Sequence, residues 1–525
     1  MKKVNKLKGL RVLLAILFFV PILLFFIDFL DLLSHEVHSL LYLQLMPSIL
    51  GGLAGLVVFQ FLLAFVFGRI YCSTICPAGV LQDIINRLFC FRKKKKKGSH
   101  RFSYHKPMNV LRYGLMAATF LATLFGVSEL CLLLDPYSNF GRIASSLFRP
   151  MFIFGNNLLA DVLNAMDNYS VFHVTLSTVT TSGLIAGISA LLVFFFMTVF
   201  RGRLFCNTLC PIGALLSLFS RYSLFRISFD KNSCTHCGNC EHTCKAEAIN
   251  SKDLTVDTSR CVDCFNCISS CSKGGLQYRL QLPGQQKKEA PVVTTEPITE
   301  TANSRRTFIA TGITVASSLP LISVIAGKKR HKRGEHECHK KGLPITPPGS
   351  ISLAHFKDQC TGCQLCVVHC PSQVLRPTGM EYGIGYMLKP EVAYINSYCN
   401  YECTVCSEIC PTGAIKPLTV EEKVTTQIGI AKFYPNRCVV KREGKDCGAC
   451  AEHCPTQAVH MVPYKGTLTI PEVNPDLCIG CGGCESICPV RPMRAIIVNA
   501  NEVHLKVDKP KEEEVKEIEV DDFGF

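Results

Sequence analysis

The sequence contains no tryptophan, and only 18% of its 525 residues are charged, whereas soluble globular domains usually carry about 25%. Lysine and arginine are absent between residues 11 and 69, and only two occur between residues 112 and 201. These deficits exclude an ordinary soluble domain and indicate membrane spans with their outer loops. The formal net charge of +15 does not indicate a nucleic-acid partner, because the basic residues lie in short blocks beside apolar runs.

Four apolar stretches reach the length of about 20 residues that a membrane-spanning helix needs: residues 12–32, 48–68, 110–134 and 180–200. Basic residues precede the first stretch and separate the second from the third, where they include the run from Lys93 to Lys97. By the positive-inside rule, we expect both segments to lie on the cytoplasmic side.

A fifth apolar stretch, residues 307–327, follows the pair Arg305 and Arg306, a pattern typical of a twin-arginine export signal. A linker rich in proline, glutamine, threonine and glutamate precedes it. A plain fifth span is the alternative. Both interpretations place residue 328 onward outside the cytoplasm, and without a clear cleavage site we expect an uncleaved anchor.

The membrane part contains a duplication. The run Gly-Arg-Ile-Tyr-Cys-Ser-Thr-Ile-Cys-Pro-Ala-Gly at residues 68–79 returns as Gly-Arg-Leu-Phe-Cys-Asn-Thr-Leu-Cys-Pro-Ile-Gly at residues 202–213. Two units packed side by side would bring Cys72, Cys76, Cys206 and Cys210 to one level, where four thiolates suit one shared iron–sulfur cluster. Buried thiols beside proline-terminated helices are the alternative.

Two cysteine quartets with the spacing C-x2-C-x2-C-x3-C follow the fourth stretch: Cys234, Cys237, Cys240, Cys244 and Cys261, Cys264, Cys267, Cys271. In two-cluster ferredoxins the fourth cysteine of each run binds the other cluster. We therefore expect Cys271 to join the first three cysteines of the first quartet, and Cys244 those of the second. Three closely spaced cysteines plus a fourth argue against zinc, which favours two separated pairs.

Four more quartets follow the fifth stretch: Cys360, Cys363, Cys366, Cys370; Cys399, Cys403, Cys406, Cys410; Cys438, Cys447, Cys450, Cys454; and Cys478, Cys481, Cys484, Cys488. The outer two have regular spacing and the inner two do not, so we expect nested pairing, with sequential pairing as the alternative. Disulfides would suit an oxidising compartment, but cysteines this close in a loop rarely meet disulfide geometry. The six quartets predict six 4Fe-4S clusters, and the duplicated motif a possible seventh.

These motifs resemble a known pair of protein families. Residues 1 to about 280 resemble NapH, the membrane subunit of the quinol-oxidising branch of periplasmic nitrate reduction, and residues 304 to about 500 resemble NapG and its MauM relatives. The C-x-x-x-C-P motif is also shared with the NosR and cytochrome-oxidase-assembly ferredoxin families. The resemblance implies a fusion protein that oxidises quinol, for example menaquinol, and delivers electrons to an exported reductase or cytochrome.

The predicted route leaves a gap, since the two ferredoxin parts would be separated by a hydrocarbon core of about 30 Å. No histidine lies within the five stretches to hold a transmembrane haem, so we expect quinone or a partner subunit to bridge the sides. His35, Glu36 and His38 are candidate proton acceptors or plain surface residues, and Glu129 a functional or a solvated carboxylate. Three cysteines stay unassigned: Cys90, Cys131 and Cys338.

The predicted fold is an α-helical membrane domain of four spans plus a fifth anchor, with α+β bacterial-type ferredoxin domains on both sides. The expected divisions are a membrane domain (1–225), a cytoplasmic two-cluster ferredoxin (226–279), a linker (280–303), the signal or anchor helix (304–327), a basic linker (328–350), an exported four-cluster ferredoxin (351–500) and an acidic tail (501–525). We expect residues 226–303 in the cytoplasm and 328–525 in the periplasm. The predicted function is electron transfer from the quinol pool of the bacterial inner membrane. Redox sensing or metalloenzyme assembly is the alternative, and anchoring of an exported ferredoxin is a third.

Overall fold

The computed structural model describes residues 6–28, 38–93, 102–175, 179–281 and 342–508. The twin-arginine segment, the fifth apolar stretch, the linkers on either side of it and most of the acidic tail lie outside the described residues. So do His35, Glu36 and Cys338, and the side chain of Cys90.

The helical domain contains an α-helix in each of the four predicted apolar stretches: α1 (Lys6–Ile27), α4 (Ala54–Phe67), α7 (Asn109–Leu124) and α11 (Thr181–Arg201). Shorter helices connect them: α2 (Ser39–Tyr42), α3 (Leu45–Leu50), α5 (Tyr71–Thr74), α6 (Pro77–Lys93), α8 (Glu129–Leu134), α9 (Pro136–Ile143), α10 (Arg149–Asn164), α12 (Leu204–Thr208) and α13 (Pro211–Ser220). A π-helical turn at Ala144–Phe148 joins α9 to α10.

Two of the described helices, α1 and α11, are long and apolar enough by themselves to cross a bilayer. The second and third predicted stretches are broken instead of continuous. Gly52, with φ +71°, separates α3 from α4, and Gly126, with φ +72°, separates α7 from α8. Glycine tolerates this left-handed backbone, which interrupts a helix.

The first ferredoxin module, residues 225–281, is built on two antiparallel strand pairs. Strand β1 (Phe225–Phe229) pairs with β4 (Leu276–Leu280), with Phe225 opposite Leu280. Between them in sequence, β2 (Ile249–Asn250) pairs with β3 (Thr255–Val256). The short helices Asn239–Thr243 and Asn266–Ser270 each carry the third cysteine of one quartet, and the fourth directly follows each helix.

The second ferredoxin module, residues 342–508, contains this plan once in full and has one further strand pair before it. Its strand pairs are β5 (Leu375–Pro377) with β6 (Pro390–Val392), β8 (Val459–Pro463) with β9 (Thr469–Val473), and β7 (Thr426–Phe433) with the long β10 (Ile496–Lys506). Short helices fill the loops: Leu353–Gln359, Leu365–Val368, Val405–Glu408, Val420–Lys423, Val439–Glu443, Ala449–Glu452 and Gly483–Ile487. The predicted ferredoxin-type part of the fold is therefore confirmed.

The two ferredoxin modules pack against opposite ends of the helical domain, as α1 illustrates. Near its start, Lys8 Nζ lies 3.4 Å from Ser269 Oγ of the first module. Near its end, the Phe25 carbonyl lies 2.8 Å from His369 Nε2 of the second module. Lys8 and Phe25 are 17 positions apart in this helix, so at a rise of 1.5 Å per residue the two contacts are about 26 Å apart.

Helices α11 and α4 also connect the two modules, but their chains run in the opposite direction, from the second module to the first. Arg201, at the end of α11, pairs with Glu247 of the first module at 2.8 Å. Ser182, at its start, donates a hydrogen bond to the Pro377 carbonyl of the second module at 3.1 Å. Adjacent to α4, Gly51 approaches the second module, and the Phe67 carbonyl accepts a hydrogen bond from Tyr278 Oη of the first module at 3.2 Å.

Candidate functional site

The eight cysteines of the first ferredoxin module form the two groups that the spacing predicts. The Cys234 set lines one cavity of about 440 Å³ and consists of Cys234, Cys237, Cys240 and Cys271. The Cys244 set consists of Cys244, Cys261, Cys264 and Cys267, whose thiols interact electrostatically with one another. Each quartet therefore exchanges its fourth cysteine with the other.

The sixteen cysteines of the second ferredoxin module form four sets. The Cys360 set is Cys360, Cys363, Cys366 and Cys410. The Cys399 set is Cys399, Cys403, Cys406 and Cys370. The Cys478 set is Cys478, Cys481, Cys484 and Cys454. The Cys438 set lines a cavity of about 360 Å³ and is Cys438, Cys447, Cys450 and Cys488.

The preferred nested pairing of these quartets is wrong, and the sequential alternative is the one observed. The reason is the repeated strand plan. Strands β7 and β10 enclose the third and fourth quartets as β1 and β4 enclose the two quartets of the first module, so each fold unit contains two adjacent quartets. The two units of the second module then touch where the Cys399 amide donates a hydrogen bond to the Cys481 carbonyl at 3.0 Å.

The chemistry of these sets suits clusters. Every cysteine whose side chain the structure describes is free of disulfide bonds. Within the described ranges, no group of three or more metal-ligating side chains is close enough to hold a single ion. Three closely spaced cysteines joined by a fourth from the neighbouring quartet are the ligand arrangement of 4Fe-4S ferredoxins, whereas structural zinc sites favour two separated pairs.

The duplicated motif forms a buried thiol site of four cysteines, Cys72, Cys76, Cys206 and Cys210, each only 4% exposed. Their thiols interact electrostatically across the two copies of the motif. Pro77 and Pro211 begin the helices that follow, α6 and α13. Because proline tolerates the first turn of a helix, each motif ends in a helix start that holds its second cysteine at the site.

Two arginines of the motif hold the copies together reciprocally. Arg69 donates to the Cys206 carbonyl at 2.9 Å, and Arg203 donates to the Cys72 carbonyl at 2.7 Å. Each also lies near the thiol of its own copy, at 3.7 Å for Cys72 and 3.8 Å for Cys206. The sequence reasoning quoted these arginines without assigning them a role, although their recurrence in both copies was the available signal.

Glycine at the end of each motif is required by this close approach. A Cβ atom on Gly79 would lie 2.1 Å from the Cys72 carbonyl oxygen and 2.7 Å from the Arg203 guanidinium. On Gly213 the corresponding distances are 2.2 Å to the Cys206 carbonyl oxygen and 2.8 Å to the Arg69 guanidinium. Any side chain at either position would push the arginine away from the site.

Positive charge concentrates around the buried thiol site. Asp83 pairs with Arg203 at 2.6 Å and Lys245 at 2.5 Å, and also with Arg11. Arg69 is fully buried; its guanidinium donates to neutral oxygens such as Asn207 Oδ1 at 2.7 Å, and the residue interacts electrostatically with the buried Asp263 carboxyl. Buried charges require compensation, so the site suits an anionic group. A 4Fe-4S core held by four thiolates has a net negative charge.

A polar bridge leads from the buried thiol site toward the second ferredoxin module. Gln44 is 1% exposed, and its Nε2 donates to the Ile75 carbonyl, next to Cys76, at 3.3 Å. Tyr71 Oη lies 3.2 Å from Gln44 Oε1. At the far end of α3, an ideal Cβ on Gly51 would lie 3.2 Å from the carbonyl oxygen of Pro411, the residue after Cys410. Sequence reasoning missed this bridge because Gln44 belongs to no motif.

The remaining candidate residues lie near the second ferredoxin module. Glu129 begins α8 and faces Gly385 of that module, and no role follows from its contacts. Cys131 is buried and belongs to none of the seven groups of cysteines. The His38 ring lies 4.8 Å from Phe25 and 6.2 Å from His369, centroid to centroid.

Family models match segments of both the helical domain and the second ferredoxin module. A family model described as a 4Fe-4S binding domain matches residues 49–98 and 184–232, the two copies of the duplication. A 4Fe-4S dicluster domain model matches residues 359–440 and 445–491. No solved structure matches the chain.

Three curated relatives are informative. An uncharacterized protein of Methanocaldococcus jannaschii is 25% identical over 276 residues, 52% of this chain and 88% of that protein. The ferredoxin-type protein NapG of Escherichia coli is 26% identical over 198 residues, 35% of this chain and 81% of NapG. The methylamine utilization ferredoxin-type protein MauM of Methylophilus methylotrophus is 30% identical over 161 residues, 27% of this chain and 66% of MauM. The chain is thus an iron–sulfur electron-transfer protein of the ferredoxin type, a fusion similar to the Nap and MauM proteins.

Proposed function

We propose that the chain is an inner-membrane electron-transfer protein that takes electrons from quinol and passes them through the second ferredoxin module to an exported reductase or cytochrome. The observation that carries this proposal is the position of the Cys360 set. An ideal Cβ on Gly141 in α9 would lie 2.4 Å from the Cys363 carbonyl oxygen. Ser145 donates to Gln364 Oε1, beside the same loop, at 2.7 Å. A cluster held by the Cys360 set would therefore lie directly against the helical domain.

The membrane location is supported by the surface of the helices. Large apolar side chains face outward along them, such as Leu13 (63% exposed), Phe120 (65%) and Phe200 (72%). Contiguous exposed apolar surface of this kind marks membrane or partner contact. With α3 and α8 added to α4 and α7, the two broken stretches reach spanning length, so the proposal retains four spans.

The sidedness follows from charge. The described basic residues Lys8 and Arg11, in the first turns of α1, lie at the end of the helical domain that binds the first ferredoxin module, where Lys8 Nζ lies 3.4 Å from Ser269 Oγ. The positive-inside rule then makes this end cytoplasmic and the second module periplasmic. The opposite ends occupied by the two modules support this assignment, and export of the second module by the twin-arginine route is part of the proposal.

The residues present fit seven 4Fe-4S clusters. The six sets of the ferredoxin modules would each hold one, and the buried thiol site would hold the seventh. When bound, each cluster accepts and releases one electron. The cavity of the Cys438 set is lined by residues of the second ferredoxin module, which suits this set to contact the exported acceptor.

The balance of the reaction is simple. Oxidation of one menaquinol to menaquinone releases two electrons and two protons. The electrons enter the second ferredoxin module one at a time, and the protons leave to the periplasmic side, where the exported acceptor consumes the electrons.

The test is reduction of the purified full-length protein by a menaquinol analogue without oxygen, followed by electron paramagnetic resonance. The proposal predicts signals from reduced clusters of the second module, and their loss in Cys363→Ser. Absence of any reduced cluster in the intact protein would overturn it in favour of redox sensing or metalloenzyme assembly.

A further inference from the structure

The buried thiol site lies between the two ferredoxin modules and contacts both through buried groups. On the side of the first module, the Arg203 amide donates to the Lys245 carbonyl at 2.8 Å. Asn207 Nδ2 donates to the Ala246 carbonyl at 3.2 Å. Lys245 and Ala246 directly follow Cys244, so Arg203 and Asn207, which precede and follow Cys206, contact the loop of the Cys244 set.

A second contact joins the same two sites. Arg69, which reaches Cys206, also donates to the Ser259 carbonyl at 3.1 Å, two residues before Cys261. Arg112 of α7 donates to the same carbonyl at 2.8 Å and to the Gly213 carbonyl at 3.1 Å. These packed arginines fix the Cys244 set against the buried thiol site, and Arg69 and Arg112 are 0% and 1% exposed.

On the side of the second module, the distance to be crossed is short. Gln44 contacts the backbone beside Cys76, and Gly51 contacts Pro411 beside Cys410. These two bridge residues are seven positions apart along α3 and its flanks, about 10 Å at the helical rise. Ser48 Oγ, in the middle, donates to the Gln44 carbonyl at 2.9 Å.

A parallel set of side chains lies beside this bridge. Tyr71 interacts electrostatically with Cys76 and Asp135, and Tyr137 with Asp135, Cys363 and Cys410. All three are at most 2% exposed. The space between the buried thiol site and the Cys360 set is therefore filled by packed protein, which couples redox centres better than a gap.

We propose that the buried thiol site is the intermediate redox centre of an electron-transfer pathway across the helical domain. This pathway, the conduit, joins the first ferredoxin module to the second without haem or diffusing quinone. The proposal rests on the proposed function in that both modules carry clusters. One electron leaves a reduced cluster of the first module, which is thereby oxidised, and reduces a cluster of the second module. A low-potential one-electron donor at the first module would thus feed the same exported acceptor as quinol does.

The conduit corrects the expected gap between the two modules. That expectation assumed that no cofactor lies within the hydrocarbon core. The buried thiol site divides the distance, because the broken second crossing lets α3 and the motif after α4 enter the interior of the helical domain.

The experiment uses the full-length protein in phospholipid vesicles free of quinone, with the first ferredoxin module facing outward. Dithionite, which reacts as a one-electron reductant and crosses lipid poorly, is added outside, and reduced clusters are counted by electron paramagnetic resonance. The conduit predicts reduction of the enclosed second module. The Cys72→Ser/Cys206→Ser variant is expected to lose this reduction, and Gln44→Leu to slow it at least tenfold. Cys131→Ser, a matched buried cysteine outside the seven groups, should behave like the unmodified protein.

Two controls keep the result decisive. In detergent, dithionite reaches both modules, so the double variant should show a fully reducible second module if it is folded. A menaquinol analogue added to the vesicles tests the proposed function separately, because quinol reduces the second module from within the membrane. An enclosed second module that stays oxidised in the unmodified protein, while quinol still reduces it, would overturn the conduit alone. Dithionite-driven reduction without any quinol-driven reduction would overturn the quinol proposal alone.

Discussion

The Arg203 guanidinium donates a hydrogen bond of 2.7 Å to the Cys72 carbonyl, although the two residues belong to different copies of the duplicated motif. Arg69 makes the mirror contact to Cys206. A sequence repeat thus becomes a closed site only when each copy supplies an arginine to the other. This reciprocity explains why the motif occurs twice in one chain.

Arg203→Gln should weaken the buried thiol site. It removes one partner of a buried ion pair with Asp83, a change that typically costs about 3–5 kcal/mol, and it removes positive charge beside the thiols. We expect a lower iron content and, in the iron that remains at this site, a lower midpoint potential, because a nearby cation stabilises the more negative reduced state. Redox titration followed by electron paramagnetic resonance measures both. Arg221→Gln, an exposed arginine after α13, is the control.

Gly213→Ala should damage the same site by steric conflict. Its Cβ would lie 2.2 Å from the Cys206 carbonyl oxygen, and neither that backbone atom nor the buried Arg69 has space to move. Gly114→Ala in α7 is the matched control, since a Cβ there meets nothing within 4 Å. We expect loss of iron in the first variant and unchanged iron in the second. Equal iron content in both would show that the close approach does not matter.

Gly141→Ala should loosen the docking of the second ferredoxin module. The added Cβ would lie 2.4 Å from the Cys363 carbonyl oxygen, whereas Gly155→Ala in α10 adds a Cβ to open space. The rate of amide hydrogen exchange in the Leu365–Val368 helix reports this contact. We expect that rate to rise in Gly141→Ala and to stay unchanged in Gly155→Ala. Unchanged exchange in both variants would contradict the observed docking.

Pairs of cysteine variants distinguish the two connectivities of the second ferredoxin module. Cys363 and Cys410 belong to one set, so Cys363→Ser/Cys410→Ser should lose about four irons per chain, the content of one cluster. Cys363→Ser/Cys488→Ser affects two sets and should lose about eight. Nested pairing predicts the opposite result, with about eight irons lost from Cys363→Ser/Cys410→Ser and about four from Cys363→Ser/Cys488→Ser.

The second ferredoxin module should lose stability in mild acid through His504. Burial lowers the pKa of His504 to about 4, and its Nε2 lies 2.9 Å from Thr346 Oγ1. The folded form therefore binds fewer protons than the unfolded form, so the stability is complete above pH about 6.5 and falls as the pH drops toward 4. Between pH 7 and 5 we expect a loss of about 1–2 kcal/mol. His504→Gln should flatten this dependence, measured by hydrogen exchange in β10 corrected for intrinsic rates.

Local spacing predicted much of the candidate site. The C-x2-C-x2-C-x3-C runs identified the exchange of Cys244 and Cys271, because that exchange follows from one repeated loop. The duplication likewise predicted the meeting of the four thiols around Cys72 and Cys206. Helices formed where the apolar stretches predicted them, since composition alone determines which segments avoid water.

The sequence did not predict the features of the site that depend on long-range packing. The pairing of Cys363 with Cys410 follows from which strands enclose a unit, and the irregular spacing of the inner quartets misled the expectation. The break at Gly52 and the role of Gln44 depend on how α3 packs between the buried thiol site and the second module. No local pattern in the sequence contains that information.

The iron and acid-labile sulfide content of the anaerobically purified full-length protein tests most directly whether the buried thiol site holds a redox-active cluster. Seven clusters correspond to about 28 irons and 28 sulfides per chain, and Cys72→Ser/Cys206→Ser should reduce both to about 24 while leaving the six ferredoxin sets intact. A content of about 24 in the unmodified protein, unchanged in that variant, would contradict the account.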